Sequence, residues 1–236
     1  MNSKGKLYLI PCPLGENAAH TIPAYVIDIL HSLDVFIAER AKTARAFIKT
    51  TQQPIAFSDM TVFELNKRTP IEEWKHFLAP ALEGKNIGLI SEAGCPGIAD
   101  PGAVIVAMAH KKEIEVVPLV GPSSILLALI ASGMNGQEFS FHGYLSVKAP
   151  ELARDLKHLQ QQVIKTKATH IFMETPYRNN GLVDQLIKTI APHLRLCIAT
   201  DISLPTQFIK TKKIEEWAKI KRPDLHKRPT VFLLGI

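Results

Sequence analysis

The chain has 236 residues, 46% of them hydrophobic and 21% charged, and its 28 Lys and Arg against 22 Asp and Glu give a formal charge of +6. That length allows one large domain or two smaller ones, and that composition excludes a disordered chain. Apolar runs such as Ile125–Ala131 fall far short of the roughly 18–20 residues a membrane span needs.

Apolar runs of β character alternate with helical patterns. Lys6–Pro11 (KLYLIP) is expected to be a buried first strand. The run before Pro11 is too short and too proline-broken for a secretory leader, so the cytoplasm is the expected location. Ile22, Val26, Ile29, Leu30 and Leu33 mark one face of a helix over 21–33, with Pro23 in its first turn. Asp34–Ala38 reads as a second strand and Ala41–Lys49 as a short basic helix. Thr69-Pro70-Ile71-Glu72 has capping-box spacing at a helix start. Asn86–Ser91 is the next strand, then come a glycine- and proline-rich loop, a helix over Gly102–His110 and a strand over Glu115–Leu119. Gly121-Pro122-Ser123 opens an apolar helix closed by Gly133.

The second half differs. Phe139–Tyr144 alternates with period 2, as in a half-exposed, antiparallel strand. A polar helix over 150–166, a strand over 169–173, a helix over 179–190, strands over 195–200 and 207–211, and a last strand over 230–234 follow. The fold class is therefore α/β in two domains, 1–118 with a parallel Rossmann-like sheet and 119–236 with a mixed sheet.

Cys12, Cys95 and Cys197 lie far apart without a C-x-x-C pair, and the nine histidines show no metal-binding spacing, so neither disulfides nor a metal are expected. From Thr200 onward eight Lys or Arg face four acids, which concentrates the positive charge near the C-terminus and suits a phosphate-rich partner or a solvated surface.

The stretch Ser91–Gly102 (SEAGCPGIADPG) follows a buried strand and opens a helix, the place where ligands bind in open α/β sheets. Its glycines do not fit G-x-G-x-x-G, nor does G-K-[ST] follow. Pro11–Gly15 and Val120–Ser124 follow two other strands of the same sheet. A single glycine loop is ordinarily a tight connection; three at one sheet edge favour a main-chain-walled site.

PCPLG, AER…AR, SEAGCPGIADPG, VVPLVGPSS, ALIASG, FHGYL, IFMETPYR and PTVFLL occur in one order from Leu7 to Leu234. Together they resemble the tetrapyrrole-methylase-fold superfamily and, more closely, the branch that methylates the ribose 2′-hydroxyl of a cytidine in small-subunit ribosomal RNA. The resemblance implies a homodimer, with S-adenosylmethionine in a cleft between two domains. Its cofactor contacts would be Pro11, Ala93, Gly94, Cys95, Ile98, Asp100, Ser123, Ser124, Met173 and Ala199 or Thr200. The partner would be ribosomal RNA or the small ribosomal subunit. A ribose hydroxyl is a weak acid, so a base is expected among Glu39, Glu92 and Glu174, each otherwise a cap or ion-pair carboxylate. Arg45 and Arg178 are candidates for RNA phosphate or for holding a carboxylate.

The chain departs from that branch in ways that mark a divergent paralogue. Ala38-Glu39-Arg40-Ala41-Lys42 stands where the family has A-E-D-T-R, and Thr200–Phe208 lacks the family's Arg, Lys and trailing acids. The first loop, Pro11–Thr21, lacks the Asn-Leu pair and the aspartate. Two further readings follow: a small-molecule methyltransferase, as in the tetrapyrrole branch, and a non-catalytic relative that binds cofactor or RNA. PCPLG lacks the tetrapyrrole branch's glycine-rich first loop.

Overall fold

A computed structural model describes residues 3–66 and 68–236. The chain divides into two compact units, Met1–Ser123 and Ser124–Ile236.

The first unit is built on five strands: β1 (Leu7–Ile10), β2 (Val35–Ala38), β3 (Thr61–Glu64), β4 (Ile87–Ile90) and β5 (Val116–Pro118). Their order is β3-β2-β4-β1-β5, and every pairing is parallel. A parallel sheet needs cover on both faces, and the residue alternation supplies it. Leu7, Val35, Ile37, Ile87 and Leu89 face one apolar layer, with Ile105 and Ala109 of α5 (Gly102–Lys111) and Phe77 of α3 (Ile71–Phe77). Ile10, Phe36, Ala38 and Ile90 face the other, with Val26 and Leu30 of α1 (Ala24–His31) and Ala44 and Ile48 of α2 (Ala41–Thr50). Gly88 lies on that second face because a Cβ there would come within 2.7 Å of Ile10 and 2.9 Å of Phe36. The short α4 (Ala79–Leu82) leads into β4.

β1 and β4 are neighbours, yet the chain leaves β1 toward β2 and leaves β4 toward β5, in opposite directions along the sheet. Right-handed crossovers put the two connections on opposite faces, as the two apolar layers require. This is the switch point at which the loops of an open sheet diverge.

The second unit has the sheet order β6-β7-β10-β8-β9, formed by β6 (Phe139–Tyr144), β7 (Thr169–Met173), β8 (Arg195–Thr200), β9 (Phe208–Lys213) and β10 (Thr230–Gly235). β6 and β7 are parallel and the other pairs antiparallel, so the sheet is mixed. α7 (Ala149–Thr166) buries Leu156, Leu159 and Val163 with α8 (Asn179–Thr189) over Phe172, Ile198 and Phe232. Trp217 of α9 (Ile214–Trp217) is wholly buried there, its indole N–H donating to the Leu196 carbonyl at 2.9 Å. α6 (Ser124–Ser132) packs against β8, β9 and β10, and the Thr211 hydroxyl donates to the Ser132 carbonyl at 2.7 Å. Gly133, with φ +67°, ends α6 as the sequence predicts.

Three expectations are corrected. β6 pairs with β7 in parallel, not antiparallel; a register shift between Phe141 and Tyr144, with Gly143 at φ +67°, breaks the regular alternation. The capping box does not form: Pro70 takes the N-cap position of α3, and the Thr69 hydroxyl donates instead to the Glu64 carbonyl at 3.0 Å. Thr61–Glu64, absent from the sequence reading, is the edge strand β3; its short, partly exposed residues carry no strong pattern.

Candidate functional site

With all strands of the first unit parallel, the loops after β1, β4 and β5 emerge at one edge and are tied together. Cys12 and Gly94 exchange backbone hydrogen bonds at 2.9 and 3.0 Å, an antiparallel bridge between the first two loops. The Ser91 hydroxyl lies 3.0 Å from the Gly94 carbonyl and 3.2 Å from that of Ala93, fixing the turn. The third loop lies on the first: a Cβ on Gly121 would stand 2.2 Å from both Cβ and Cγ of Pro11. Its Val120 N–H donates to the Tyr25 hydroxyl of α1 at 2.9 Å. The Cys95 thiol lies 3.5 Å from the Pro122 carbonyl. Tyr25 escaped the sequence reading because it lies off the apolar stripe of its helix.

The middle loop needs unusual backbone. Gly94 and Gly97 have φ of +71° and +84°, and Ala99 adopts φ +60°, a conformation uncommon outside glycine. Both carboxylate oxygens of Asp100 accept from the Gly97 N–H, at 2.9 and 3.1 Å, and one also accepts from the Gly102 N–H at 2.7 Å. Asp100 thus shapes the turn from inside. Burial raises its pKa, and those backbone donors work against the rise. The thiols of Cys12 and Cys95 are held protonated: burial pushes both up, and Glu92 adds to the effect on Cys12.

The three loops, 11–19, 91–102 and 119–124, contain no Lys or Arg and three acids, Glu16, Glu92 and Asp100. Beside the turns Ile98 and Val120 are exposed, at 50% and 69%. An edge with negative charge, accessible main chain and apolar side chains fits a cationic, purine-bearing ligand such as S-adenosylmethionine.

The three carboxylates suggested as bases differ in surroundings. Glu174 is 5% exposed; it accepts from the Thr175 N–H at 2.6 Å and is ion-paired with Arg178, so two residues singled out for separate roles hold each other. Glu39 borders a cavity of only about 10 Å³ among Ala38, Ser91, Pro96 and Asp100, room for no more than a water. Glu92 borders an open cleft of about 580 Å³ between the first loop, α2 and the start of the middle loop. Its side chain has no hydrogen bond or ion pair among the described residues.

In the second unit, β7 and β8 both run antiparallel to β10, so Met173 and Thr200 end at one edge, opposite Val231 and Thr230. Ala199 and Thr200 are wholly buried, and the Thr200 hydroxyl is 2.8 Å from that of Thr230. With β9 and β10 on either side and no accessible surface, neither residue presents a contact to a ligand as it stands. The next residue, Asp201, is a structural acid that accepts from Arg228 Nε and the Thr206 hydroxyl, both at 2.8 Å. Ser123 and Ser124 adjoin each other at the start of α6, and Arg45 is exposed on α2.

The family model of tetrapyrrole (corrin/porphyrin) methylases matches residues 6–218, nine-tenths of the chain. The chain belongs to this family. The α/β fold class is the one expected from the sequence, and S-adenosylmethionine-dependent methyl transfer is the chemistry of the family.

Among curated relatives, the ribosomal RNA small subunit methyltransferase I of Bacillus subtilis is 34% identical over 220 residues, covering 91% of this chain and 67% of the relative. The protein of the same name from Halalkalibacterium halodurans is 32% identical over 83% of this chain, which spans 64% of that relative's length. The one from Escherichia coli O157:H7 is 26% identical and covers 99% of this chain and 78% of the relative.

Solved structures share the fold. The methyltransferase CobJ aligns with a TM-score of 0.63 at 18% identity, over 98% of this chain and 94% of the other. A cobalt precorrin-4 methyltransferase aligns at 0.62 and 14% identity, with the same coverage. Among the described residues there is no cluster of metal-binding side chains, and no helix is long and apolar enough to cross a membrane.

Proposed function

We propose that the protein transfers a methyl group from S-adenosylmethionine to the 2′-hydroxyl of a cytidine ribose in small-subunit ribosomal RNA. What carries the reading is the cation-free loop edge of the first unit, with an unpaired carboxylate, Glu92, beside an open cleft. The relatives named for ribosomal RNA favour an RNA acceptor over a small tetrapyrrole.

Bound S-adenosylmethionine supplies an already activated methyl group, so the protein's task is alignment and proton removal. Gly94, Cys95 and Ile98 offer main chain and apolar contact to the cofactor, and Ser123, Ser124 and Met173 are assigned further contacts on sequence resemblance. Pro11, Ala93 and Asp100 hold the shape of the turns. Glu92 is assigned as the base. The Glu92 carboxylate would take the hydroxyl proton as the ribose oxygen accepted the methyl group from the sulfonium, whose sulfur would be left as a neutral thioether. Arg178, paired with Glu174, positions the segment after β7. The same reading assigns the protein to the cytoplasm, where a ribosomal RNA acceptor is found, and, on sequence resemblance, to a homodimer.

The test is transfer of labelled methyl to undermethylated small subunits, compared with free RNA, beside calorimetry with S-adenosylmethionine. Label on the cytidine ribose is the expected result. Cofactor bound with no label on either substrate would overturn the proposal.

A further inference from the structure

α2 has three faces. Ala44 and Ile48 enter the core. Thr43, Ala46, Phe47 and Thr50, at helical spacing, line the 580 Å³ cleft. Lys42, Arg45 and Lys49 form a third stripe next to the second, all exposed to solvent. Arg40, at the N-cap, adds a fourth exposed cation.

Residues 40–50 contain no acid, and among the described residues none of these four cations makes an ion pair or a side-chain hydrogen bond. A cation at a helix amino end opposes the helix dipole, so the dipole does not account for Arg40. Of the eight cations from Thr200 onward, four are ion-paired: Lys212 with Glu216, Lys213 with Glu215, Arg222 with Asp184 and Arg228 with Asp201.

The cleft beside the cationic stripe has the opposite character. Leu14, Ala46 and Phe47 give it apolar walls, and among the described residues its only charged lining residues are Glu16 and Glu92. A phosphate or a polycarboxylate would be repelled there and attracted to the stripe. One ligand satisfies both demands: a strand whose uncharged aromatic units alternate with phosphates.

We infer that α2 and its cleft are the docking surface for a single-stranded segment of RNA, one unstacked base lying against Phe47 and the flanking phosphates along Lys42, Arg45 and Lys49. The inference rests on the acceptor being RNA. Its volume suits a nucleotide, and an aromatic platform beside a cationic track is how single strands are held without a groove to read.

The experiment measures binding of a short cytidine-containing RNA by fluorescence anisotropy over a range of salt. It compares the wild type, the triple variant Lys42→Ala, Arg45→Ala, Lys49→Ala, and Phe47→Leu, which keeps the apolar packing of α2. Removing three phosphate contacts should lower the slope of log K against log salt by about 2, at about 0.7 per contact for a single strand. Phe47→Leu should weaken binding at least about fivefold with an unchanged slope, the low end of a lost stacking contact. Calorimetry with S-adenosylmethionine should give wild-type affinity for both variants, which shows that the fold is intact. An unchanged salt slope in the triple variant, wild-type affinity in Phe47→Leu, or equal binding of an acidic peptide of the same length would each overturn the inference. Failure of methyl transfer in the wild type, with the slope still reduced in the triple variant, would count against the reaction and leave the docking surface standing.

Discussion

Gly121→Ala tests whether the three loops act as one rim. In the wild type the third loop rests against the ring of Pro11, and the added methyl would lie 2.2 Å from two of its carbons, while the Pro11 Cα is at 3.7 Å. Ordinary carbon contacts lie near 3.5–4.0 Å, so the loops must separate by more than an ångström. Overpacking of this kind costs about 1–3 kcal/mol. For a unit of 123 residues the unfolding entropy is about 0.26 kcal/mol per kelvin, so its melting temperature should fall by about 4–12 °C. Cofactor affinity should fall with it, because the same displacement pulls Gly121 and Pro122 off the turn at Gly94 and Cys95.

A second substitution isolates the contact. Pro11→Gly removes both offending carbons and leaves only the Cα at its ordinary distance, so Pro11→Gly with Gly121→Ala should be less destabilised than the two single effects added. The assays are thermal unfolding and calorimetry with the demethylated cofactor product. If Gly121→Ala melts and binds like the wild type, the loops are not in mutual contact and the rim as argued does not exist.

Glu92→Gln should lower the methyl-transfer rate by about 10²–10⁴ and cofactor affinity far less, measured by labelled transfer and calorimetry. Arg178→Ala leaves the nearly enclosed Glu174 without its cation; urea unfolding should show a loss of about 2–3 kcal/mol, below the roughly 3–5 of a fully buried pair, because Arg178 is itself 34% exposed. Adding Glu174→Gln should restore part of it. The rings of His142 and His170, 2.8 Å apart at Nε2 and Nδ1, both have pKa values lowered from 6.5 by burial and next by neighbouring histidines, His158 for His142, and His142 then His158 for His170. The unfolded chain takes up these protons first as the pH drops, so their contribution is fully present above about 6.5 and is lost as the pH falls toward the folded values, with a slope of at most about 2.7 kcal/mol per pH unit for two protons. Urea unfolding across that window should show the decline, and His142→Asn with His170→Asn should flatten it.

How much was legible in the sequence depended on how local the determining physics is. Buried strands such as Val35–Ala38 and Ile87–Ile90 are short, continuous apolar runs bounded by turns, and these can be read directly. Gly133 could be placed at a helix end for the same reason. β6 could not be paired correctly, because period-2 alternation reports which face is wet and carries nothing about the direction of the neighbouring strand. β3 was missed because an edge strand of four residues is held by its pairing with β2 rather than by its own pattern. At the site, the glycine loops marked the sheet edge, but their mutual ties did not show. The Cys12–Gly94 bridge and the approach of Gly121 to Pro11 join residues separated by about 80 and 110 positions in the chain, and only the switch-point topology brings them together.

Charge shows the same division between what a chain lists and what a fold displays. Counting residues puts the positive excess after Thr200, where folding pairs four of the eight cations, Asp184 coming from α8 to meet Arg222 and Asp201 meeting Arg228 from the loop after β8. In α2 none of the four cations is paired among the described residues. The nearest carboxylate in sequence, Glu39, borders the small cavity beside Ser91, and Glu64 accepts the Ala41 N–H at 2.7 Å; neither is ion-paired with the cations of the helix among the described residues. A phosphate partner is attracted by charge left unpaired at the surface, and its range in physiological salt is about 8 Å. The reach of that field from α2 covers the cleft beside it and little more. Electrostatic capture and base placement therefore have to occur on the same helix, which is why the cationic stripe and Phe47 are tested together.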